Sequence, residues 1–180
     1  MKQLWLIRHP QVLIKSGTCY GQLDIASDPA SNATQAQSLA ATLPDHIIIY
    51  CSPLQRCHHL AITLLALRKD LQIELDPNLQ EMDFGSWEGK LWQDIPQNEI
   101  AAWTDNFLHY SPGGGESVST FMARVNQSYR KFSTNCAWIT HAGVIRASHL
   151  LHAKKFITQA SDWPIDVISV GCHQTLEMGS

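Results

Sequence analysis

Short runs of β-branched and aliphatic residues at positions 3–7, 47–50, 72–75, 137–140 and 167–170 alternate with longer stretches at 33–43, 53–67, 118–132 and 144–152, where apolar residues recur every three or four positions. The short runs suit strands, and the 3.6-residue period suits helices with one buried face. Strands alternating with helices in this way predict an α/β domain of three layers, α/β/α, with a mostly parallel central sheet covered on both faces. Around Gly171 the last two strands are expected to form a terminal hairpin. Residues 81–115 are the least regular part, apart from a predicted helix at 97–107, and are expected to cover the functional site as a lid.

Composition narrows the picture. A chain of 180 residues, 44% apolar, can bury a sizeable core as one domain spanning 1–180. Lys and Arg number 13 against 16 Asp and Glu, for a net charge of −3, and no run of like charge occurs. A nucleic-acid partner is therefore not expected. The apolar stretches are far shorter than a membrane span needs, and the first residues lack the pattern of a secretion signal, so a cytoplasmic protein with no membrane partner is expected. Five widely spaced cysteines, an odd number with no Cys-x-x-Cys pair, argue for free thiols rather than a disulfide framework or a structural zinc.

In an open α/β sheet, ligands bind beyond the carboxyl ends of the strands. The residues there are Arg8-His9-Pro10 after the first strand, Ser52-Pro53-Leu54-Gln55-Arg56 after the second, Glu81-Met82-Asp83 after the third and His141-Ala142-Gly143 after the fourth. Ser52 reads as an N-cap, with Pro53 at the first helical position and Gln55 completing a capping box. Few chemistries need two guanidiniums, two imidazoles and a carboxyl group together. Arg8 and Arg56 can grip a tetrahedral phosphate, one imidazole can attack phosphorus, the other can donate to a phosphoryl oxygen, and an acid can protonate the departing alkoxide. The expected partner is a small-molecule phosphate ester, and neither a metal nor a cofactor is called for. Both Glu81 and Asp83 could face the site from an extended segment.

Six motifs in order, Leu6-Ile7-Arg8-His9, Gly17-Thr18-Cys19-Tyr20-Gly21-Gln22-Leu23-Asp24, Ser52-Pro53-Leu54-Gln55-Arg56, Glu81 to Gly89, Gly114-Gly115-Glu116-Ser117 and Thr140 to Arg146, resemble those of the histidine phosphatase superfamily, the phosphoglycerate mutase-like fold. The resemblance implies that His9 is a nucleophile forming phosphohistidine, that Arg8, Arg56 and His141 form the phosphate pocket, and that Glu81 is the proton donor, with Asp83 a loop hydrogen-bonder. It also implies that Tyr20 and Gly21 border the substrate, as in ribazole-type members, whose substrates are α-ribazole 5′-phosphate and adenosylcobalamin 5′-phosphate. Mutases of the family usually carry a longer insertion between the residues matching Glu81 and His141, which lie 60 positions apart, so a phosphatase is favoured over a mutase. A phosphoglycerate mutase or a broad-specificity phosphatase is the rival among enzymes, and a silent phosphate-binding protein, which would need at least one of the five key residues replaced, is the rival of another class. Departures from the family pattern fall after the nucleophile, at Pro10, Val12 and Lys15; Pro10 removes a backbone donor.

Other candidates have plainer readings. Adjacent helical positions point about 100° apart, so Cys57, His58 and His59 cannot close on one metal. His149 and His152 share a face without an evident third ligand. Gly113-Gly114-Gly115 lets the chain turn into a helix capped by Ser117. Trp5 and Trp138 are expected in the core, whereas Trp87, Trp92 and Trp103 fall in the lid, where packing competes with stacking on a flat leaving group.

Overall fold

The structure is a computed structural model that describes residues 2–131 and 134–178; Phe132, the last residue of one predicted helix, lies outside them. Five strands, β1 (Lys2–Arg8), β2 (Ile48–Cys51), β3 (Gln72–Leu75), β4 (Cys136–Thr140) and β5 (His173–Met178), form one sheet in the order β3-β2-β4-β1-β5. All neighbours are parallel except β5, which runs antiparallel to β1. Helices α1 (Pro29–Thr42) and α2 (Gln55–Leu67) cover one face, and α4 (Val118–Lys131) and α5 (Ala142–His152) the other; the short α3 (Gln97–Asp105) lies in the irregular region, where a lid helix is predicted.

The two faces follow from strand alternation. Leu4, Leu6, Cys136 and Trp138 point into a cluster with Phe121, Val125, Val144 and Ile145. Ile7, Ile49, Ala137 and Ile139 point the other way, onto Leu39, Leu60 and Leu64 of α1 and α2. Every residue of β4 is buried, as befits the central strand. Each of these fully buried aliphatic side chains contributes roughly 1.5–3 kcal/mol over its exposed state. Trp138 is buried as expected, while Trp5 is half-buried and stacks on His173, the ring centroids 5.2 Å apart.

Three sequence expectations need correction. Residues 167–170 form no strand, and the terminal hairpin does not exist. The side chains of Val167 and Ile168 pack against the α4–α5 cluster, and the Ile168 carbonyl accepts from an arginine side chain instead of a neighbouring strand. The place beside β1 goes to β5, a polar sequence whose pairing with the opposite end of the chain no local pattern reveals. At the start of α2, Ser52 and Gln55 do not form a capping box. Asp24 accepts from both the Gln55 backbone N–H (2.7 Å) and its Nε2 (3.1 Å), while the Ser52 hydroxyl is drawn to His141. Finally, α1 begins earlier than its apolar period suggests, because Asp28 accepts from Ser31 N–H at 2.7 Å and Pro29 occupies the first helical turn.

Candidate active site

The parallel register of β1 and β4 sets Arg8 opposite Thr140, so the next residue on each strand, His9 and His141, emerges side by side. His9 N–H donates to the Thr140 carbonyl (3.0 Å) and its own carbonyl accepts from Gly171 N–H (3.1 Å), which fixes the residue beyond the strand end. The two rings lie 5.2 Å apart at 53° and are nearly or fully buried.

Their hydrogen bonds assign opposite tautomers. His9 Nδ1 is 2.8 Å from the Pro10 carbonyl, which can only accept, so Nδ1 carries the proton and Nε2 presents a lone pair. The proline that withholds a backbone N–H thus supplies the carbonyl that orients the ring. His141 Nδ1 is 3.2 Å from Arg56 Nε, which can only donate, so the His141 proton sits on Nε2 and points to Ser52 Oγ at 2.8 Å. Burial, then the Arg56 charge, lower the pKa of His9 to about 3, and the same two causes hold His141 well below 6.5. Both rings are neutral at neutral pH. Cys57 packs its Sγ 3.5 Å from His141 Nε2, and burial pushes its thiol up to about 12, so it stays protonated.

Arg56 is fully buried. Its Nη1 donates to the Leu23 carbonyl (2.9 Å) and Nη2 to the Gly21 carbonyl (2.6 Å), and with the His141 contact these engage three of its N–H groups. A guanidinium has five, so two remain for a ligand. Tyr20 lies under Arg56, its ring centroid 5.4 Å from Cζ, and faces the cavity. Gly21 acts from behind: its carbonyl holds Arg56, and a Cβ there would sit 1.8 Å from the Met82 carbonyl.

Glu81 reaches the site from the far side of the sheet edge. Its carboxyl oxygens accept from Met82 N–H (3.0 Å) and Gly143 N–H (2.9 Å), and a Cβ at position 143 would lie 2.1 Å from Oε1. Glycine is therefore what allows α5 to approach the carboxyl group. Asp83 turns away and accepts from Gly85 N–H at 2.7 Å, the loop role expected for it. Arg124 of α4 clamps the segment, donating to the carbonyls of Asn78 (2.8 Å), Gln80 (2.7 Å) and Glu81 (2.8 Å) and pairing with Glu116 at 2.8 Å. Glu88 ties the Tyr20 loop to the same region through Gln22, Leu23 and Phe84 N–H.

Arg8, His9, Tyr20, Arg56 and Glu81 border a cavity of about 280 Å³, just below the usual range for ligand sites, whereas His141 and Gly21 stand behind its lining. Its lining sets three guanidiniums, those of Arg8, Arg56 and Arg146, beside the single carboxyl group of Glu81, so positive charge is in excess to meet a dianion. The opposite wall is aromatic: Phe84, Trp92, Trp103, Phe107, Phe121 and Trp163. Trp103 is at its centre, stacked on Trp92 (6.4 Å, 12°) and edge-on to Phe84 (5.9 Å) and Trp87 (5.8 Å). Trp87 is fully buried and donates to Glu99 at 2.6 Å, so it packs behind the wall while Trp92 and Trp103 face the cavity.

Sequence reasoning assigns no role to Ser52 beyond capping, nor any to Arg124, Glu88 or Arg146. The last two stand inside quoted motifs, so position is the available signal; for Arg124 there is none. Elsewhere, Cys57 is buried, His58 partly exposed and His59 exposed. His149 accepts from Gln174 Nε2 and His152 contacts Tyr129. Ser117 Oγ accepts from Thr120 N–H at 3.2 Å, as expected of a cap. Among the described residues no cluster of three or more His, Cys, Asp or Glu could hold a metal ion, and no helix is long and apolar enough to cross a membrane.

The chain has relatives among known proteins. The profile of the Histidine phosphatase superfamily (branch 1) matches residues 4–176. The chain is 30% identical over 153 residues to the adenosylcobalamin/alpha-ribazole phosphatase of Escherichia coli (strain K12), covering 79% of this chain and 75% of that one. It is 27% identical over 188 residues to the adenosylcobalamin/alpha-ribazole phosphatase of Salmonella typhimurium, covering 98% and 90%. Among solved structures, phosphoglycerate mutase from Thermus thermophilus superposes with a TM-score of 0.74 at 26% identity, over 97% of this chain and 92% of that one.

Proposed function

The chain belongs to the histidine phosphatase superfamily and is a phosphatase, and from that premise we propose that it hydrolyses α-ribazole 5′-phosphate, or adenosylcobalamin 5′-phosphate, through a phosphohistidine on His9. The observation that carries the chemistry is the tautomer of His9, whose Nε2 lone pair is free because Nδ1–H is spent on Pro10. Support for the substrate comes from the two curated relatives and from the aromatic wall, which offers flat faces to a benzimidazole.

In the first step the Nε2 lone pair attacks phosphorus while Arg8 and the two unspent N–H groups of Arg56 hold the phosphoryl oxygens. The P–O ester bond breaks, and Glu81 gives its proton to the departing alkoxide. In the second step Glu81 takes a proton from water, the oxygen attacks phosphorus, and the P–N bond returns its electron pair to Nε2. Little covalent work falls to the protein beyond this; position and charge do the rest. For His141 to donate to a phosphoryl oxygen, its Nε2–H must exchange Ser52 for the substrate or act through the serine hydroxyl.

The test is a single turnover with ³²P-labelled ester quenched in base, since phosphohistidine is acid-labile. Label on His9 is expected. Substrate is ranked by kcat/KM over α-ribazole 5′-phosphate, ribose 5-phosphate and 3-phosphoglycerate, with the first expected to lead; a lead for 3-phosphoglycerate would refute the substrate and leave the chemistry standing.

A further inference from the structure

Arg146 occupies the second turn of α5, one turn beyond Ala142 and Gly143, and lines the same cavity as His9 and Arg8. Nothing in the two chemical steps uses it. Its Nη2 donates to the Ile165 carbonyl at 2.9 Å, on the irregular segment that follows Trp163, and its Nε is buried with no hydrogen-bond partner among the described residues. Leaving a charged N–H unpaired inside a protein is costly, so the guanidinium has a donor in hand for something the cavity takes up. Its electrostatic neighbours are Glu81, which favours its charge, and Arg8, which opposes it, while burial opposes it most. Arg146 therefore lies within electrical reach of both the proton donor and the phosphate-gripping end, and is anchored beside Trp163 at the aromatic end. A leaving group that begins at an oxygen protonated by Glu81 would share its cavity with Arg146 and the aromatic side chains.

Resting on the reading of the cavity as a phosphatase site, we propose that Arg146 determines specificity by hydrogen-bonding an acceptor oxygen carried by the leaving group, supplied by a sugar hydroxyl or by a carboxylate. Its Nε and Nη2 edge is the side-on fork with which a guanidinium grips two acceptor positions at once, Nη2 exchanging the Ile165 carbonyl for the ligand. The phosphoryl group belongs to Arg8 and Arg56, and Arg146 reads what is attached to it.

Competition measurements separate these assignments without requiring that each ester be turned over. With p-nitrophenyl phosphate as the reporter, the inhibition constants of inorganic phosphate, ribose 5-phosphate and 3-phosphoglycerate are measured for the wild type and for Arg146→Met, which keeps an apolar stem and removes the donors. The constant for at least one oxygen-bearing ester should rise roughly tenfold to a hundredfold, the span of a hydrogen bond to a charged group, and that for inorganic phosphate by less than about threefold. A rise for ribose 5-phosphate alone identifies a sugar hydroxyl, and a rise for 3-phosphoglycerate alone a carboxylate. An equal rise for inorganic phosphate, or no rise for either ester, would overturn the proposal. Should Arg146→Met fail to fold, Arg146→Lys retains the charge and loses the fork, and the same selective rise is expected in smaller measure. Failure of the proposed function is read elsewhere, in the wild-type substrate ranking and in the label on His9.

Discussion

The two ends of the cavity are built on different principles. At the phosphate end each group is fixed by directional bonds to backbone or to another site residue: His9 by Pro10, His141 by Arg56 and Ser52, Glu81 by Met82 and Gly143. At the aromatic end Phe84, Trp92 and Trp103 hold one another through ring contacts of 5.4–6.4 Å, and Trp103 Nε1 has no hydrogen-bond partner among the described residues. Directional bonds set tautomer and proton position, which chemistry needs to within a few tenths of an ångström. Ring contacts tolerate sliding, which suits recognition of a flat surface. The difference implies that chemistry and leaving-group choice can be damaged separately.

The largest separation is expected at His9. His9→Ala should lower kcat/KM by at least about 10⁴-fold for every ester, aryl or alkyl, since the proposed reaction runs through its Nε2. Activity retained in that variant would remove the phosphohistidine.

Next in size is Glu81. In single-turnover measurements of phosphoenzyme formation, Glu81→Gln should slow an alkyl ester such as α-ribazole 5′-phosphate by roughly 10²- to 10⁴-fold, and p-nitrophenyl phosphate, whose leaving group needs no proton, far less. Gly143→Ala should reproduce the contrast, because its Cβ displaces the carboxyl group. Equal slowing of both substrates would take the acid role from Glu81.

A third experiment reads the phosphate end through stability. Unfolded, each histidine takes up a proton near pH 6.5; folded, His9 resists until about pH 3 and His141 remains neutral well below 6.5. The unfolded chain therefore binds protons first, and the stability present above pH 6.5 is lost as the pH falls. For His9 the loss between pH 6.5 and 5 is about 2 kcal/mol, measurable by urea unfolding, and His9→Asn should remove it, leaving in place the loss of the same sign that His141 contributes. An unchanged slope in that variant would show that His9 is not held neutral.

The smallest effect belongs to the aromatic end. Trp92→Leu should raise KM for α-ribazole 5′-phosphate about tenfold, the scale of one lost aromatic contact, and leave KM for ribose 5-phosphate, which has no ring to stack, within about twofold. Parallel changes in the two would mean that Trp92 packs the wall and touches no ligand.

The same contrast explains what can be read from the sequence. The phosphate end comes from four strand ends, and strand ends are visible as the close of a short apolar run followed by Arg8-His9, Arg56, Glu81 and His141. The aromatic wall draws on residues from 84 to 163 that belong to 3₁₀ turns, loops and helix faces with no common period, so only its composition is legible. Ser52 escapes because capping is a local rule, whereas its partner His141 lies 89 positions away. The strand expected at 167–170 fails for a related reason: a β-branched run signals burial against a flat surface, and Val167 and Ile168 find it without pairing. β5 goes unseen because its pairing is decided by β1, at the other end of the chain.

That pairing has a bearing on how the protein is made. The strand that leads into His9 is made before both of its partners, so Leu4 must wait for Cys136 on one side and Leu176 on the other. At ordinary rates of translation the wait is on the order of ten seconds. During it β1 is an apolar ribbon with both edges open, a template for wrong partners, while α1 and α2, neighbours in sequence, can already pack on each other through contacts that close quickly. The enzyme's chemistry is thus a property of the finished chain, and substitutions that slow the docking of β5 would show first as aggregation during synthesis and only afterwards as lost catalysis.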